Sequence, residues 1–381
     1  MKRSVWIENL VLRPLSVLYR GVIGVRNLMF KWGVFKEREF DIPVIVVGNL
    51  AVGGTGKTPH TELIVDLLRS QYNVAVLSRG YKRSTKGFVM ATPRSTPTDI
   101  GDEPYQIYHK FNCDIPVIVC ESRVKGIEEI RRLLPDVNLV ILDDAFQHRY
   151  IKPTVSIVLT EFHRPAYEDK MLPLGHLREP FKSINRADIV IVTKCPDDVK
   201  AIQYRIKTEK LGLMPFQNLF YSSFRYQGLR PVFPEVVKSE ADIMRLEQLD
   251  EDDAILALSG IANPRPFIRW LKKSRATVKS KSFPDHHNFQ KRDLDLLQRL
   301  YKKLPAKNRR FIVTTEKDAV RLSNNPYYPE ELKRYTYYQP ITVQMHKVTD
   351  HKMSDVPLSV AIINKIKDVE RKKLMAAKMK K

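Results

Sequence analysis

The sequence predicts an α/β fold built from a doubly wound sheet and a second, smaller α/β domain. Between residues 42 and 194, segments rich in Val and Ile alternate with segments of helical pattern, as in a largely parallel sheet covered on both faces. A glycine-rich turn, Gly53–Thr58, joins the first strand to the first helix, and the alternation resumes after residue 217. The 381 residues are enough for two such domains.

The larger domain is predicted over residues 37–216. Its strand segments are apolar throughout rather than alternating, which is typical of parallel strands buried on both faces. Ligands bind such sheets beyond the carboxyl ends of the strands, so residues that directly follow a strand are candidate functional residues. The predicted strands are Pro43–Val47, Val74–Ser78, Pro116–Cys120, Leu139–Leu142, Val155–Leu159 and Ile189–Val192, and the predicted helices are Thr58–Ser70, Glu103–Phe111 and Arg123–Leu134.

Two linker strands and the smaller domain are predicted over residues 217–350. The aromatic segments Leu219–Phe224 and Tyr335–Gln344 are rich in β-formers and are expected to pair as a two-stranded linker. Residues 351–381 are predicted to form a basic C-terminal helix and tail. Within the smaller domain the predicted strands are Ala254–Leu258, Thr277–Lys281 and Arg310–Thr315, and the predicted helices are Pro266–Lys273 and Lys291–Lys303.

Residues 1–36 combine bulky apolar side chains with interspersed basic ones. Arg13 and Arg20 are seven residues apart and therefore share one face of a helix. This pattern is typical of an amphipathic helix in a membrane interface, where arginines meet lipid phosphates. The alternative is a helix packed on its own domain. Pro14 is expected to kink the helix or to split it in two.

The charge of the chain favours an anionic partner. Lys and Arg number 65 against 43 acidic residues, a net charge of +22, which suits nucleic acid, an anionic membrane face or a phosphorylated substrate. The three cysteines have no C-x-x-C spacing, so neither a disulfide framework nor a zinc site is predicted. No uncharged apolar run of about eighteen residues is present, so no membrane span is predicted.

The turn VVGNLAVGGTGKT has the composition of a phosphate-binding loop, which makes the predicted sheet P-loop NTPase-like. Its glycines let several backbone N–H groups point at one anion, and the N-terminus of the next helix adds partial positive charge. Lys57 is expected to reach the β- and γ-phosphates of ATP, and the Thr58 hydroxyl is expected to hold Mg²⁺. The residues assigned to the nucleotide in this loop are Gly53, Gly54, Thr55, Gly56, Lys57 and Thr58.

An acidic pair, Asp143 and Asp144, follows the predicted strand that ends at Leu142. A P-loop enzyme needs a carboxylate here, opposite its lysine, to hold the Mg²⁺ of the nucleotide. Two adjacent carboxylates repel each other, so cations are needed nearby to keep both ionised. The sequence leaves open which of the two binds the metal directly.

Three further clusters have both a functional and a structural interpretation. Asp102 and Glu103 open a predicted helix, where they either cap free N–H groups or include a base for a substrate hydroxyl. Arg178 either stabilises charge on a transferring phosphoryl group, with Glu179 in the metal site, or forms a salt bridge with Glu179. His286 lies beside a carboxylate and suits proton handling, but it has no zinc-site spacing.

Taken together, these segments resemble the tetraacyldisaccharide 4′-kinase family, the lipid A kinases of Gram-negative bacteria. The resemblance covers residues 47–322 and rests on seven motifs in a fixed order. Ala145, where the family typically has glycine, is a mild departure. The motifs are VGNLAVGGTGKTP, RGYKR, GDEP, DDAFQHR, LPLGHLREP, FPDHHNF and TTEKDAVRL.

The resemblance implies two α/β domains joined by a two-stranded linker, and a reaction at the cytoplasmic face of the bacterial inner membrane. The implied reaction transfers the ATP γ-phosphate to the 4′-hydroxyl of a tetraacylated glucosamine disaccharide 1-phosphate, giving lipid IVA. By the matching motifs, Asp102 would be the catalytic carboxylate, tuned by His286 from the second domain. The other implied site residues are Glu103, Gln147, His148, Arg178 and Glu179.

Two other classes compete with this interpretation. A GTPase-like switch would need the guanine-selecting N-K-x-D motif, but Thr193 replaces its Asn and Pro196 stands where its Asp should be. A nucleic-acid-binding ATPase would account for the net charge, but no RNP-like or zinc-finger signature is present. A basic surface that faces a membrane explains the charge equally well, so no nucleic-acid partner is expected.

Overall fold

In the computed structural model, which describes residues 8–237, 244–346 and 356–378, the chain forms two sheets with helices on both faces. The strands are β1 (Val44–Asn49), β2 (Val74–Ser78), β3 (Val89–Met90), β4 (Val117–Val119), β5 (Leu139–Asp143), β6 (Val155–Glu161), β7 (Ile189–Thr193), β8 (Asn218–Tyr226), β9 (Arg230–Pro231), β10 (Ala254–Ser259), β11 (Thr277–Ser282), β12 (Arg310–Thr315), β13 (Thr336–Gln339) and β14 (Ile341–Met345). The helices are α1 (Arg13–Lys31), α2 (Lys57–Leu68), α3 (Pro97–Ile100), α4 (Asp102–Lys110), α5 (Arg123–Leu133), α6 (Ala201–Leu211), α7 (Arg265–Leu271), α8 (Lys291–Lys302), α9 (Glu316–Ser323), α10 (Glu330–Lys333) and α11 (Leu358–Lys378).

The first sheet has the strand order β14-β8-β7-β6-β1-β5-β2-β4-β3. Strands β8, β7, β6, β1, β5, β2 and β4 run parallel, and β14 and β3 are antiparallel edge strands. Side chains of β1 alternate between two apolar cores, one covered by α1, α5 and α6 and the other by α2, α4 and α11. The predicted doubly wound sheet is therefore confirmed.

The second sheet has the order β11-β10-β12-β13-β9. Its first four strands are parallel, and β9 is antiparallel to β13. One face packs on α8 and α9 and the other on α7, again with an apolar core on each side. This is the smaller α/β domain that the sequence predicts.

The linker forms as predicted, with one correction. β8 pairs with β14 in antiparallel register, but the segment predicted as Tyr335–Gln344 is divided at Pro340. Thr336–Gln339, before the proline, joins the second sheet as β13. Proline lacks a backbone N–H, so a strand cannot continue its ladder unbroken through this position. By hydrogen bonding, both linker strands belong to the first sheet, although they lie within the predicted range 217–350.

Helix α1 has two different faces. Ser16 and Phe30 are buried, and Tyr19 and Ile23 pack against the core of the first sheet. Pro14 lies in the first turn of α1, directly after a π-helical turn at Glu8–Leu12, and Leu12 between them keeps a helical backbone, with φ −73° and ψ −34°. The kink or split expected at Pro14 stays a prediction. The opposite face of α1 exposes a row of large apolar side chains to solvent: Leu15, Leu18, Val22 and Val25.

Three predicted segments extend beyond the described residues. Residues 1–7 of the predicted helix at 1–36 lie outside them, as do residues 238–243 and 347–350 of the predicted range 217–350 and residues 351–355 and 379–381 of the predicted basic tail. Helix α11 buries Leu358, Ile362 and Ile366 in the core of the first sheet, so this part of the tail is a docked helix. None of the described helices is both long enough and apolar enough to cross a membrane.

Candidate active site

The phosphate-binding loop is held from outside by three donors. Thr193 Oγ1 donates to the Thr55 carbonyl at 2.9 Å, His60 Nδ1 donates to the Gly56 carbonyl at 2.7 Å, and Lys194 Nζ donates to the Gly54 carbonyl. The C=O and N–H of one trans peptide unit point in opposite directions. The N–H groups of Gly56 and Lys57 are therefore directed away from these donors, to the side where an anion would lie.

His60 connects this loop to the linker strand β8. A carbonyl can only accept, so Nδ1 of His60 carries the proton, and Nε2, 2.9 Å from Ser222 Oγ, accepts from that hydroxyl. Burial lowers the pKa of His60 to about 4, so the imidazole is neutral at physiological pH. At Gly56, φ is 90°, and a Cβ there would lie 2.5 Å from Phe224 Cζ of the same linker strand, so only glycine fits.

The acidic pair ends β5, next to β1 and its loop. Asp143 is buried; its Oδ1 accepts from Thr61 Oγ1 at 2.8 Å, and its Oδ2 has no partner among the described residues. Burial and the nearby charges of Glu103 and Asp144 raise the pKa of Asp143 to about 7. A buried carboxylate oxygen without a donor, in a site that disfavours its charge, fits a divalent cation.

Asp144 already has two cations beside it. Lys57 Nζ lies 3.6 Å from Asp144 Oδ2, and Arg178 Nη1 lies 3.3 Å from Oδ1. Gln147 joins this group, since its Oε1 lies 3.4 Å from Arg178 Nη1 and its Nε2 donates to the Asn49 carbonyl at 2.7 Å. The predicted requirement for cations around the acidic pair is met at Asp144 by Lys57 and Arg178.

Helix α1 reaches the backbone of two of these residues. The Tyr19 hydroxyl donates to the Arg178 carbonyl at 3.1 Å, and Arg26 Nη2 donates to the Gln147 carbonyl at 2.8 Å. Pattern reasoning predicted the helix but not these contacts, because only the fold brings residues more than a hundred positions apart together. The packed face of α1 therefore supports the site directly.

The remaining predicted residues differ in their surroundings. Glu179 is buried and pairs with Arg186 at 2.6 Å, so its carboxylate faces an arginine, and its metal role stays a prediction. Burial and the charges of arginines 123, 26 and 79 lower the pKa of His148 to about 4. Thr58 is the second residue of α2 and is partly exposed. No three His, Cys, Asp or Glu side chains converge as a metal-holding group in the described parts of the chain.

The two domains meet at Asp102. His286 Nδ1 lies 3.4 Å from Asp102 Oδ2, and Lys317 Nζ lies 2.9 Å from His286 Nε2. An ammonium can only donate, so Nε2 of His286 accepts from Lys317, while Nδ1 lies 3.2 Å from Arg321 Nη2 as well as 3.4 Å from Asp102 Oδ2. Burial opposes the charge of Asp102, but hydrogen bonds from His286 and Arg321 outweigh it and lower the pKa of Asp102 to about 2.

Glu103 stands beside this contact. Its Oε1 lies 3.3 Å from Lys317 Nζ, and its charge contributes to the raised pKa of Asp143. The structure thus brings the predicted residues of both domains to one cleft at the carboxyl end of the first sheet. Thr193 and Lys194 lie there as well. The sequence gives no role for them beyond an incomplete match to the guanine-selecting motif. The fold and the cleft define a two-domain enzyme of the P-loop class.

Comparison with known proteins places the chain within this class. The model of the family described as tetraacyldisaccharide-1-P 4′-kinase matches residues 8–357. The chain is 49% identical over 338 residues to the tetraacyldisaccharide 4′-kinase of Bacteroides thetaiotaomicron, covering 88% of each chain. It is 40% identical over 331 residues to that of Flavobacterium johnsoniae, covering 87% of this chain and 91% of the relative. The chain belongs to the tetraacyldisaccharide-1-P 4′-kinase family.

A solved structure agrees with this assignment. The crystal structure of LpxK from Aquifex aeolicus, described as an "apo" form in complex with ATP, superposes with a TM-score of 0.67 at 28% identity. The match covers 93% of this chain and 98% of that one. The agreement therefore extends over both domains and confirms the P-loop NTPase-like α/β fold.

Proposed function

We propose that the protein transfers the γ-phosphate of ATP to the 4′-hydroxyl of tetraacyldisaccharide 1-phosphate, giving lipid IVA for lipid A biosynthesis. The observation that carries the proposal is the cleft in which a P-loop and an acidic pair meet an interdomain carboxylate–histidine contact. The relatives are named as tetraacyldisaccharide 4′-kinases, and that name supplies the acceptor. The cleft accounts for both halves of the reaction, the nucleotide on one side and a hydroxyl on the other.

On the nucleotide side, the loop from Gly53 to Thr58 binds the ATP phosphates. Lys57 exchanges Asp144 for phosphate oxygens, while Arg178 balances charge on the transferring group. Asp143 and Asp144 would hold Mg²⁺, directly or through water, and the bound ion would neutralise charge on the phosphates. Thr58, Glu103 and Glu179 are the further metal residues of this proposal, and Gln147 and His148 are further nucleotide residues.

On the acceptor side, Asp102 accepts the proton of the 4′-hydroxyl. His286 contacts Asp102 and helps to fix its orientation. Because His286 comes from the second domain, the pair exists only when the domains are closed. A carboxylate whose pKa is about 2 is a weak base. Its value in a loose phosphoryl-transfer transition state is to position the hydroxyl and to receive the proton late.

We also infer that the protein works as a peripheral protein at the cytoplasmic face of the inner membrane. The acceptor carries four acyl chains, and α1 exposes apolar side chains on the face that does not touch the domain. Arg13 and Arg20 are exposed on the same helix and suit lipid phosphates. The other face of α1 contacts the site, so a membrane-bound α1 would lie between bilayer and cleft.

The decisive experiment offers one purified protein three acceptors with ATP and Mg²⁺: the lipid disaccharide 1-phosphate in micelles, nucleic acid, or water alone. Phosphate is expected on the lipid only, at the 4′ position. Lys57→Ala serves as the control for contaminating kinases. The proposal would be contradicted by phosphorylation of nucleic acid, or by rapid ATP hydrolysis that continues without phosphate transfer when the lipid is present.

A further inference from the structure

The segment TTEKDAVRL contributes a helix, α9, that lies against α4 of the first domain. Their ion pairs are complementary along the contact. Lys317 faces Glu103 at 3.3 Å, Arg321 faces Asp102 at 2.6 Å, and at the other end Glu316 faces Lys110 at 3.4 Å. Among these pairs, the one made by Arg321 reaches Asp102, the carboxylate that the proposed function assigns to the acceptor.

Arg321 uses its three nitrogens in two directions. Toward the first domain, Nη2 and Nε both donate to Asp102 Oδ2, at 2.6 and 2.9 Å, and Nη2 also lies 3.2 Å from His286 Nδ1. Within the second domain, Nη1 donates to Asp318 Oδ1 at 3.0 Å and to the Gly260 carbonyl at 3.4 Å. The side chain is only 7% exposed, so it is held by these partners and not by solvent. A planar guanidinium fixed at both ends presents its donors in one defined orientation.

Asp318 provides the fixed end. It is buried, and its Oδ2 accepts from the Gly260 N–H at 2.8 Å and from the Thr315 hydroxyl at 2.6 Å. A Cβ on Gly260 would lie 2.9 Å from Asp318 Oδ1, so the backbone approaches this carboxylate closely. Hydrogen bonds within the second domain therefore fix the Asp318 carboxylate. Asp318 in turn orients the guanidinium of Arg321, which donates to Asp102.

All hydrogen bonds that the described residues donate to the Asp102 carboxylate end on the same oxygen. Arg321 and His286 both reach Oδ2, and none of them uses Oδ1. Fixing one oxygen of a planar carboxylate fixes the rotation of the whole group. The other oxygen, Oδ1, then has one defined direction in which it can accept a proton.

We propose that Arg321 is a positioning residue of the phosphotransfer, which holds the Asp102 carboxylate so that Oδ1 faces the acceptor hydroxyl when the domains are closed. The inference rests on the proposed function. In the transfer, the acceptor oxygen bonds to the γ-phosphorus and the bond from that phosphorus to the β–γ bridging oxygen breaks. ADP leaves with the electron pair, and the hydroxyl proton passes to Oδ1.

Arg321 also weakens Asp102 as a base, so its removal has two opposite effects. The orientation effect dominates because the hydroxyl keeps most of its proton at a loose transition state, where base strength matters little. A misplacement of about 1 Å in such a site lowers a rate by up to about a hundredfold. Loss of Arg321 should therefore slow the reaction despite the stronger base that it leaves.

The test is a double-mutant cycle on the full-length protein with ATP and micellar lipid acceptor. Arg321→Gln is expected to lower kcat by about ten- to a hundredfold, with the KM for ATP changed less than about twofold. Arg321→Lys keeps the charge but not the paired donors and should recover part of the loss. In the Asp102→Asn background, Arg321→Gln should change kcat by less than about threefold, because residues that act as a unit are not additive.

A matched control separates positioning from simple closure of the interface. Asn324, the residue that follows α9, donates from Nδ2 to the Tyr105 hydroxyl of α4 at 3.2 Å but does not touch Asp102. Asn324→Ala should leave kcat within about twofold of the parent. Equal losses from Arg321→Gln with and without Asp102, or an equal loss in Asn324→Ala, would overturn the inference while leaving the kinase assignment intact. Wild-type protein that phosphorylates no lipid would overturn both.

Discussion

Stability near the phosphate-binding loop should depend on pH through His60. This residue is fully buried, donates to the Gly56 carbonyl and accepts from Ser222. His60→Asn removes the titrating group, while the shorter amide can still donate to the carbonyl. The variant therefore loses the Ser222 bond at every pH. It has no imidazole at this position, so it also lacks the decrease in stability that the wild type shows when the imidazole of the unfolded chain takes up a proton.

The sign and the size follow from the two pKa values of His60. Burial lowers the pKa from 6.5 to about 4 in the folded protein. As the pH falls through 6.5, His60 binds a proton in the unfolded chain but stays neutral in the folded protein. The free energy of unfolding therefore decreases until the pH reaches about 4. At pH 5 this favours the unfolded state about thirtyfold, or about 2 kcal/mol, relative to pH 7.5.

Urea unfolding at pH 7.5 and pH 5, followed by far-ultraviolet circular dichroism, measures this difference. The free energy of unfolding of the wild type should fall between the two pH values by about 2 kcal/mol more than that of His60→Asn. Other titrating groups are common to both proteins and cancel in the comparison. His163→Asn, at a solvent-exposed histidine, is the control and should behave like the wild type. An equal pH dependence of the free energy of unfolding in wild type and His60→Asn would refute the conclusion that the His60 imidazole stays neutral in the folded protein.

Three further predictions test the site and the membrane surface. Lys57→Ala should lower kcat by about two orders of magnitude or more with little change in thermal unfolding, because the ammonium serves phosphate charge; near-normal turnover would contradict the loop assignment. Arg13→Glu with Arg20→Glu should weaken sedimentation with anionic vesicles, most at low salt, and reduce activity on vesicles more than on micelles. The same charge change at Lys272 and Lys273 of the second domain is its control, and unchanged partitioning would favour a helix that is only packed. Asp102→Ala and His286→Ala should each lower kcat strongly with little change in ATP affinity, and the double variant should lose much less than their product; losses that multiply would show that the two residues act independently.

The parts of the fold that the sequence predicts are those with a strong local pattern. Long apolar runs such as Leu139–Leu142 can be satisfied only by burial on both faces, and they form the central strands of the first sheet. Two-residue edge strands, β3 and β9, carry no such pattern and were missed. Helix α6 was missed as well, because its apolar residues are spread around the helix. The division at Pro340 depends on which sheet each half of the segment joins. That is decided by tertiary contacts and not by the local sequence.

The same division applies to the site. The loop from Gly53 to Thr58 was predictable because its chemistry is contained in consecutive residues between a strand and a helix. The donors that hold the loop, Thr193 and His60, come from another strand and from inside a helix. Lys194 directly follows β7, a position that marks it as a candidate functional residue, and its sequence context suggested a guanine-selecting motif. In the structure its side chain instead donates to the Gly54 carbonyl of the loop. Arg321 does not lie at the end of a strand, and its link to the site appears only in the contact between the two domains.

The distribution of cations around the site supports the proposed position of the metal ion. Asp144 has Lys57 and Arg178, Glu103 has Lys317, Asp102 has Arg321, and Glu179 has Arg186, each within 4 Å. Asp143 forms no such pair within the described residues, and burial and neighbouring carboxylates raise its pKa to about 7. Nucleotide phosphates would draw Lys57 and Arg178 away from Asp144, leaving two adjacent carboxylates uncompensated. A divalent cation held by Asp143 and Asp144 would restore the balance at both, so we expect phosphate binding and metal binding to be strongly cooperative in this cleft.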